Sequence, residues 1–153
     1  MRIGTFPAPF DAAKLSDIAE DAECCWLVYD NSLYRYRKDT HCLAAVHQPP
    51  GALRDLQPGM NGCFFLEEAQ GQWRLGWAAN AADGGTLFAP ESWTAPLKYH
   101  VIESPGAAGV LVKDGLSVLH FYHVEAASGG LKTARVEKLC LPGQTRPPRA
   151  SAT

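Results

Sequence analysis

Apolar residues recur at every second position in short runs along this chain, and the runs come in pairs around short polar loops. Residues 64–79, FFLEEAQGQWRLGWAA, form one such pair. A two-residue loop at Gln70-Gly71 sets Leu66 opposite Leu75, Phe64 opposite Trp77 and Glu67 opposite Arg74, with glycine supplying the positive φ that the turn needs. Phe64, Leu66, Trp73, Leu75 and Trp77 then share one side with Glu68, and charge lines the other. That pattern predicts a half-buried antiparallel pair whose aromatics serve the core.

CCWLVYDNSLYRYR reads as a second hairpin. A loop at Asn31-Ser32 sets Tyr29 opposite Tyr34, Leu27 opposite Tyr36 and Trp26 opposite Arg37, and a loop one residue earlier sets Trp26 opposite Arg35. Either register brings Trp26 to an arginine, the geometry of a cation–π contact. GVLVKDGLSVLHFYHV reads as a third hairpin, with Asp114-Gly115 as its type I′ pair, Leu111 facing Val118 and Val110 facing Leu119. Both of its faces are apolar, which predicts a central pair covered on two sides. HCLAAV, TLF, LKYHVIE and TARVEKLC supply further strands.

Outside the strands, Asp11 is placed to cap a short helix over AAKLSDIAEDA, with Leu15, Ile18, Ala19 and Ala22 on one face. HQPPGALRDLQPGMNG reads as a long Pro/Gly-rich connection with one helical turn at residues 52–56. APESWTAP reads as irregular, because Pro90 and Pro96 each remove a backbone donor. Residues 141–153 read as a flexible Pro-rich tail, which leaves a single β-rich domain over residues 1–140.

These elements predict a mainly β fold, α+β at the margin. The hairpins would build an antiparallel sheet, as a curved sheet or partly closed barrel or as a small sandwich, with one short N-terminal helix. The hairpins start about 40 residues apart, a rhythm that brings propeller blades to mind. Three blades do not close a propeller, which takes four or more, and the hairpins share no repeated dipeptide, so that reading is set aside. No β-α-β alternation points to a parallel nucleotide-binding sheet.

Composition narrows the function. The 153 residues suit one domain with a core of its own. A net charge of −2 provides no global basic field for nucleic acid or an anionic membrane. No apolar run approaches the ~20 residues of a membrane span, and the first residues show no secretory h-region. With five cysteines, an odd number, this predicts free thiols in the cytoplasm.

Candidate chemistry is sparse. The phosphate-loop, nucleophile-elbow, HExxH and CxxC motifs are all missing. On a strand His120 and His123 point to opposite faces, so no metal is expected there. Cys24, Cys25, His41, Cys42 and His47 form a looser group from which a Cys–His pair could be drawn. The plainer reading has the thiols as small buried hydrophobes. YRYRK, residues 34–38, could stack bases, but the acidic total favours a strand with tyrosines in and arginines out. Glu67, Glu68, Asp83, Glu91 and Glu103 have no spacing that makes a catalytic pair.

The expectation is therefore a protein-binding module, with no enzyme activity, no cofactor and no metal, whose partner is another protein. A bacterial immunity protein, an inhibitor that occludes a partner enzyme or toxin, is the example in kind. Recognition would come from the long loops at 47–61 and 80–96, through Trp93, Met60, Glu91, Asp83 and Arg54. Trp93, between two prolines, is either folded onto the core or offered to a partner. The alternative is a β-barrel small-molecule binder or enzyme whose pocket gathers Trp73, Trp77, Tyr99, His100, His120, Tyr122 and His123.

Overall fold

A computed structural model of the chain describes residues 10–82, 84–89, 91–94, 96–103, 109–113, 118–127 and 130–140, without the side chains of the last two stretches. Among these residues twelve strands form three four-stranded antiparallel sheets, each a meander of consecutive strands. Sheet 1 comprises β1 (Leu15–Glu20), β2 (Cys24–Tyr29), β3 (Ser32–Arg37) and β4 (Cys42–His47). Sheet 2 comprises β5 (Ala52–Gly59), β6 (Gly62–Ala69), β7 (Gln72–Ala79) and β8 (Thr86–Phe88). Sheet 3 comprises β9 (Lys98–Ile102), β10 (Gly109–Lys113), β11 (Val118–Ala127) and β12 (Gly130–Cys140). The mainly β expectation holds, and no sheet closes on itself as a barrel.

The N-terminal helix is replaced by a 3₁₀ turn at Ala12–Lys14 followed by β1. Asp11 does cap the turn, accepting from the Ala13 amide at 3.0 Å. Beyond it, Ser16, Asp17 and Ile18 have middling helix propensity at best, and the open edge of β2 takes the segment as a strand, a tertiary override of weak local preference. Residues 52–56, expected as a helical turn, belong to β5. Asp55 sits there at φ 59° within a register shift, and Pro58 is tolerated because β5 is an edge strand.

The hairpin of residues 64–79 has the expected pairing, with Gln70 and Gly71 at φ 55° and 77°. It is not half-buried, however. Cys63, Phe65 and Ala78 pack toward sheet 1 with Cys24, Trp26, Val28 and Leu33. Phe64, Leu66 and Leu75 pack toward sheet 3 with Tyr99, Val110 and Val112. The charges that resembled a solvent face are absorbed: Glu67 is only 2% exposed and meets His47 Nε2 at 3.0 Å, and the Arg74 guanidinium lies 3.9 Å over the Phe88 ring.

In sheet 1 the turn falls at Asp30-Asn31, both at positive φ, so the earlier loop holds and Trp26 pairs with Arg35. Asp and Asn tolerate that conformation better than Ser32 would. In sheet 3 the expected register does not hold. Leu111 pairs with Phe121 and Val110 with Tyr122, three positions beyond the partners a two-residue turn would give. The Asp114-Gly115 turn itself lies outside the described residues, as does the 141–153 tail. Of β10 only alternate residues, Val110 and Val112, reach the core cluster, so the doubly covered layer is sheet 2.

The first strands of the sheets lie side by side and are tied by side chains. Asp17 Oδ2 accepts from the Leu56 amide at 3.2 Å. Gln57 donates to the Tyr99 carbonyl at 2.7 Å and accepts from the Val101 amide at 3.2 Å, and the Tyr99 hydroxyl donates to the Asp55 carbonyl. The spacing of about 40 residues is thus a structural repeat after all, each unit a four-stranded meander of the kind found in propeller blades.

Candidate interaction site

Two tryptophans and an arginine gather at the hairpin end of sheet 2. Trp73 is the second residue of β7, and the chain after β8 returns so that Trp93 pairs with it backbone to backbone, at 2.7 and 2.9 Å. Both indoles are half-buried against the core cluster between sheets 2 and 3. Arg54 reaches across from β5. Its guanidinium stands 5.4 Å from the centre of the Trp73 ring, and Nη2 donates to Glu68 Oε1 at 3.2 Å. Ser92 Oγ donates to Gln72 Oε1 at 3.1 Å, fixing the return segment to the start of β7.

Two of the five candidate partner residues, Arg54 and Trp93, are thereby brought together, with Trp73 from the alternative pocket between them. Glu91 lies two residues before Trp93, and its Oε1 is buried without a hydrogen-bond partner among the described residues. Met60 is elsewhere: it sits at φ 54° in the turn after β5, its amide donating to Glu103 Oε2 at 2.5 Å. Six strand positions separate it from Arg54, about 20 Å along the sheet. Asp83 lies outside the described residues. The 47–61 segment supplies a strand rather than a recognition loop, so Arg54 is presented from a rigid element.

The residues of the alternative pocket separate. Trp73, Trp77 and Tyr99 belong to the packed layer between sheets 2 and 3, with Trp77 Nε1 donating to the Gly59 carbonyl at 3.2 Å. Burial pushes the Tyr99 hydroxyl well above its ordinary pKa. His100 points to the opposite face of β9, where it shares a shallow hollow with Lys98, Leu111 and Lys113. His120, Tyr122 and His123 lie on β11, whose side chains are outside the described set.

The cysteines and histidines of sheet 1 have other partners. His41 Nδ1 meets the Tyr36 hydroxyl at 2.8 Å, and His47 meets Glu67. Cys24 and Cys63 are buried, Cys25 is half-buried and Cys42 exposed, and all four are free. Burial raises the Cys24, Cys25 and Cys63 thiols above their usual range, which disfavours the nucleophilic thiolate. Among the described residues no three His, Cys, Asp or Glu side chains are grouped to hold a metal ion.

The YRYRK strand is inverted relative to expectation, with its arginines facing in. Arg35, 5% exposed, donates to the Ala79 and Ala82 carbonyls at 2.9 and 3.1 Å. Arg37 donates to the Asn80 carbonyl at 2.6 Å and to Asp39 at 2.9 Å, the contact that holds the Asp39 carboxyl below its usual range. Asn80, itself buried, donates to Asp21 and Glu23 at 3.3 and 3.1 Å. The signal for this network was present: Arg35 and Arg37 lie across β2 from Trp26 and Cys24, on the buried face.

No family model, no curated protein and no solved structure matches this chain. The arrangement of its own residues therefore carries the functional reading.

Proposed function

We propose that the protein is a protein-binding module without catalysis of its own, and that Arg54, Trp73 and Trp93 form the centre of its partner-facing patch. The observation that supports this most is the convergence of those three side chains at one end of sheet 2. Tryptophan and arginine dominate the few interface residues that carry most binding energy. Here the indoles are held by paired backbone and core packing, and Arg54 by the ring beneath it and by Glu68, so little freedom remains to be lost on binding. Arg54 is half exposed, its side chain 51% accessible, and can reach a partner's carboxylate. The reading extends to an inhibitor of the immunity type, which would lay this patch over a partner enzyme or toxin. Four free cysteines among the described residues support a reducing, cytoplasmic setting.

Affinity capture from the native cell with wild-type protein and with Arg54→Ala and Arg54→Glu tests the proposal. A partner held by the wild type should bind each variant at least tenfold more weakly, about 1.4 kcal/mol, while the thermal midpoints stay close to wild type. Equal retention by all three proteins would overturn the patch. Turnover of a small molecule that His100→Ala abolishes would overturn the non-catalytic reading.

A further inference from the structure

Three sheets in a row leave two sheet faces at the ends, and here both ends lack a cover among the described sheets. On the outer side of sheet 1, Ile18 lies opposite Leu27 across the β1–β2 pair, and Leu43 follows in the next cross-strand row. Ile18 is 57% exposed. At the other end, Leu111 stands among Lys98, His100 and Lys113 on the outer side of β9 and β10. End units of stacked repeats ordinarily carry a polar outer face, and an exposed isoleucine on the edge strand β1, continuous with Leu27 on β2, departs from that rule.

We propose that two copies of this chain associate head to tail, sheet 1 of each covering sheet 3 of the other, to close a ring of six four-stranded blades. The strand order supports this arrangement. β1, β5 and β9 are each the first strand of their sheet and are tied in succession by Asp17, Gln57 and Tyr99, as the innermost strands of neighbouring blades would be. Three blades cannot close, whereas six fall within the usual four to eight. A two-fold axis relates the copies and produces two identical junctions, so neither end face is left over.

The area agrees. A sheet face of four six-residue strands, spaced ~4.8 Å with a ~3.3 Å rise, covers about 380 Å². Two junctions give each copy a footprint of about 760 Å², near the ~800 Å² per partner of a stable interface. Contact through sheet 1 alone would supply half of that. The surface is separate from the Arg54 patch, so either proposal can fail without the other.

Size-exclusion chromatography with light scattering at micromolar concentration tests the ring. The wild type should show twice the 16.6 kDa chain mass. Ile18→Lys, which meets Lys98 and Lys113 of the other copy, and Leu111→Glu should each run as monomers with unchanged circular dichroism. Mixing them should restore the dimer, because one junction is then wild type and the other pairs opposite charges. Should Leu111→Glu unfold, His100→Glu on the same exposed face takes its place. A monomeric wild type, a mass above two chains, or a dimer that survives either substitution would overturn the proposal, the last pointing to a symmetric contact through a single end.

Discussion

The buried contact between His47 and Glu67 joins β4 of sheet 1 to β6 of sheet 2, and its removal separates two kinds of stabilisation. Glu67 is almost wholly buried, and its Oε1 lies 3.0 Å from His47 Nε2. The imidazole also packs on Phe65 and Phe88, with ring centres 5.6 and 5.3 Å away. His47→Leu keeps apolar bulk against those rings but strands a carboxylate in the interior. Breaking a buried pair costs about 3–5 kcal/mol, and His47 is partly accessible, so about 2–3 kcal/mol is expected. Glu67→Leu leaves only a partly solvated imidazole without its partner and should cost about 1 kcal/mol. The double replacement removes both polar groups and should return to within about 1 kcal/mol of wild type, a coupling of about 2 kcal/mol. Urea unfolding followed by tryptophan fluorescence reads these values. With an m-value of about 2 kcal/mol/M, His47→Leu should lower the midpoint by roughly 1 M. A double variant that loses the sum of the two single effects would refute the reasoning, since the carboxylate would then not depend on the histidine.

Gly76→Ala should destabilise the fold by about 1–3 kcal/mol, because a Cβ there would stand 2.4 Å from the Phe65 ring and 2.8 Å from Phe88. Adding Phe65→Leu should recover part of the loss, and no recovery would mean that the strain lies in the backbone. Stability should also fall at alkaline pH. Burial raises the Cys63 thiol and the Tyr99 hydroxyl above their unfolded values, 9.0 and 10.0, so above about pH 9 the unfolded chain releases protons that the folded one keeps. The stabilisation is complete below that range and is lost as pH rises. Cys63→Ala should flatten the decline between about pH 9 and 10, and an unchanged slope would remove this thiol as its source.

Local chemistry was legible where a turn set the register. Gln70-Gly71 determines the pairing of Phe64 with Trp77 and of Glu67 with Arg74 without help from the rest of the chain. What covers each face was not legible. Glu67 and Arg74 look solvated until His47 and Phe88 arrive from other strands, 20 and 14 positions away in the chain. β5 carries a proline and a positive-φ aspartate and has no strand signature, and it pairs because the edge of β6 is there to receive it. The patch shows the same division. Arg54 and Trp93 could be singled out by residue type, but that each is a neighbour of Trp73 depends on β5 being a strand and on the chain returning after β8. The inward arginines were legible in part: either loop, Asp30-Asn31 or Asn31-Ser32, puts Arg35 and Arg37 on the face of Trp26, but the carbonyls that receive them come from the end of β7 and beyond it.

The arginine clamp on residues 79–82 also bears on how the chain can fold. Each meander is built from neighbouring segments and can form quickly from local contacts. Arg35 and Arg37, however, find their carbonyls 43 to 47 positions downstream. When sheet 1 forms first, the carbonyls of residues 79–82 that receive these two guanidinium groups are not yet in place, and that face cannot become dry until β7 has been made. Sheets 1 and 2 therefore mature as one cooperative unit, and native-state hydrogen exchange should report a shared opening free energy for β3 and β7 rather than one for each sheet.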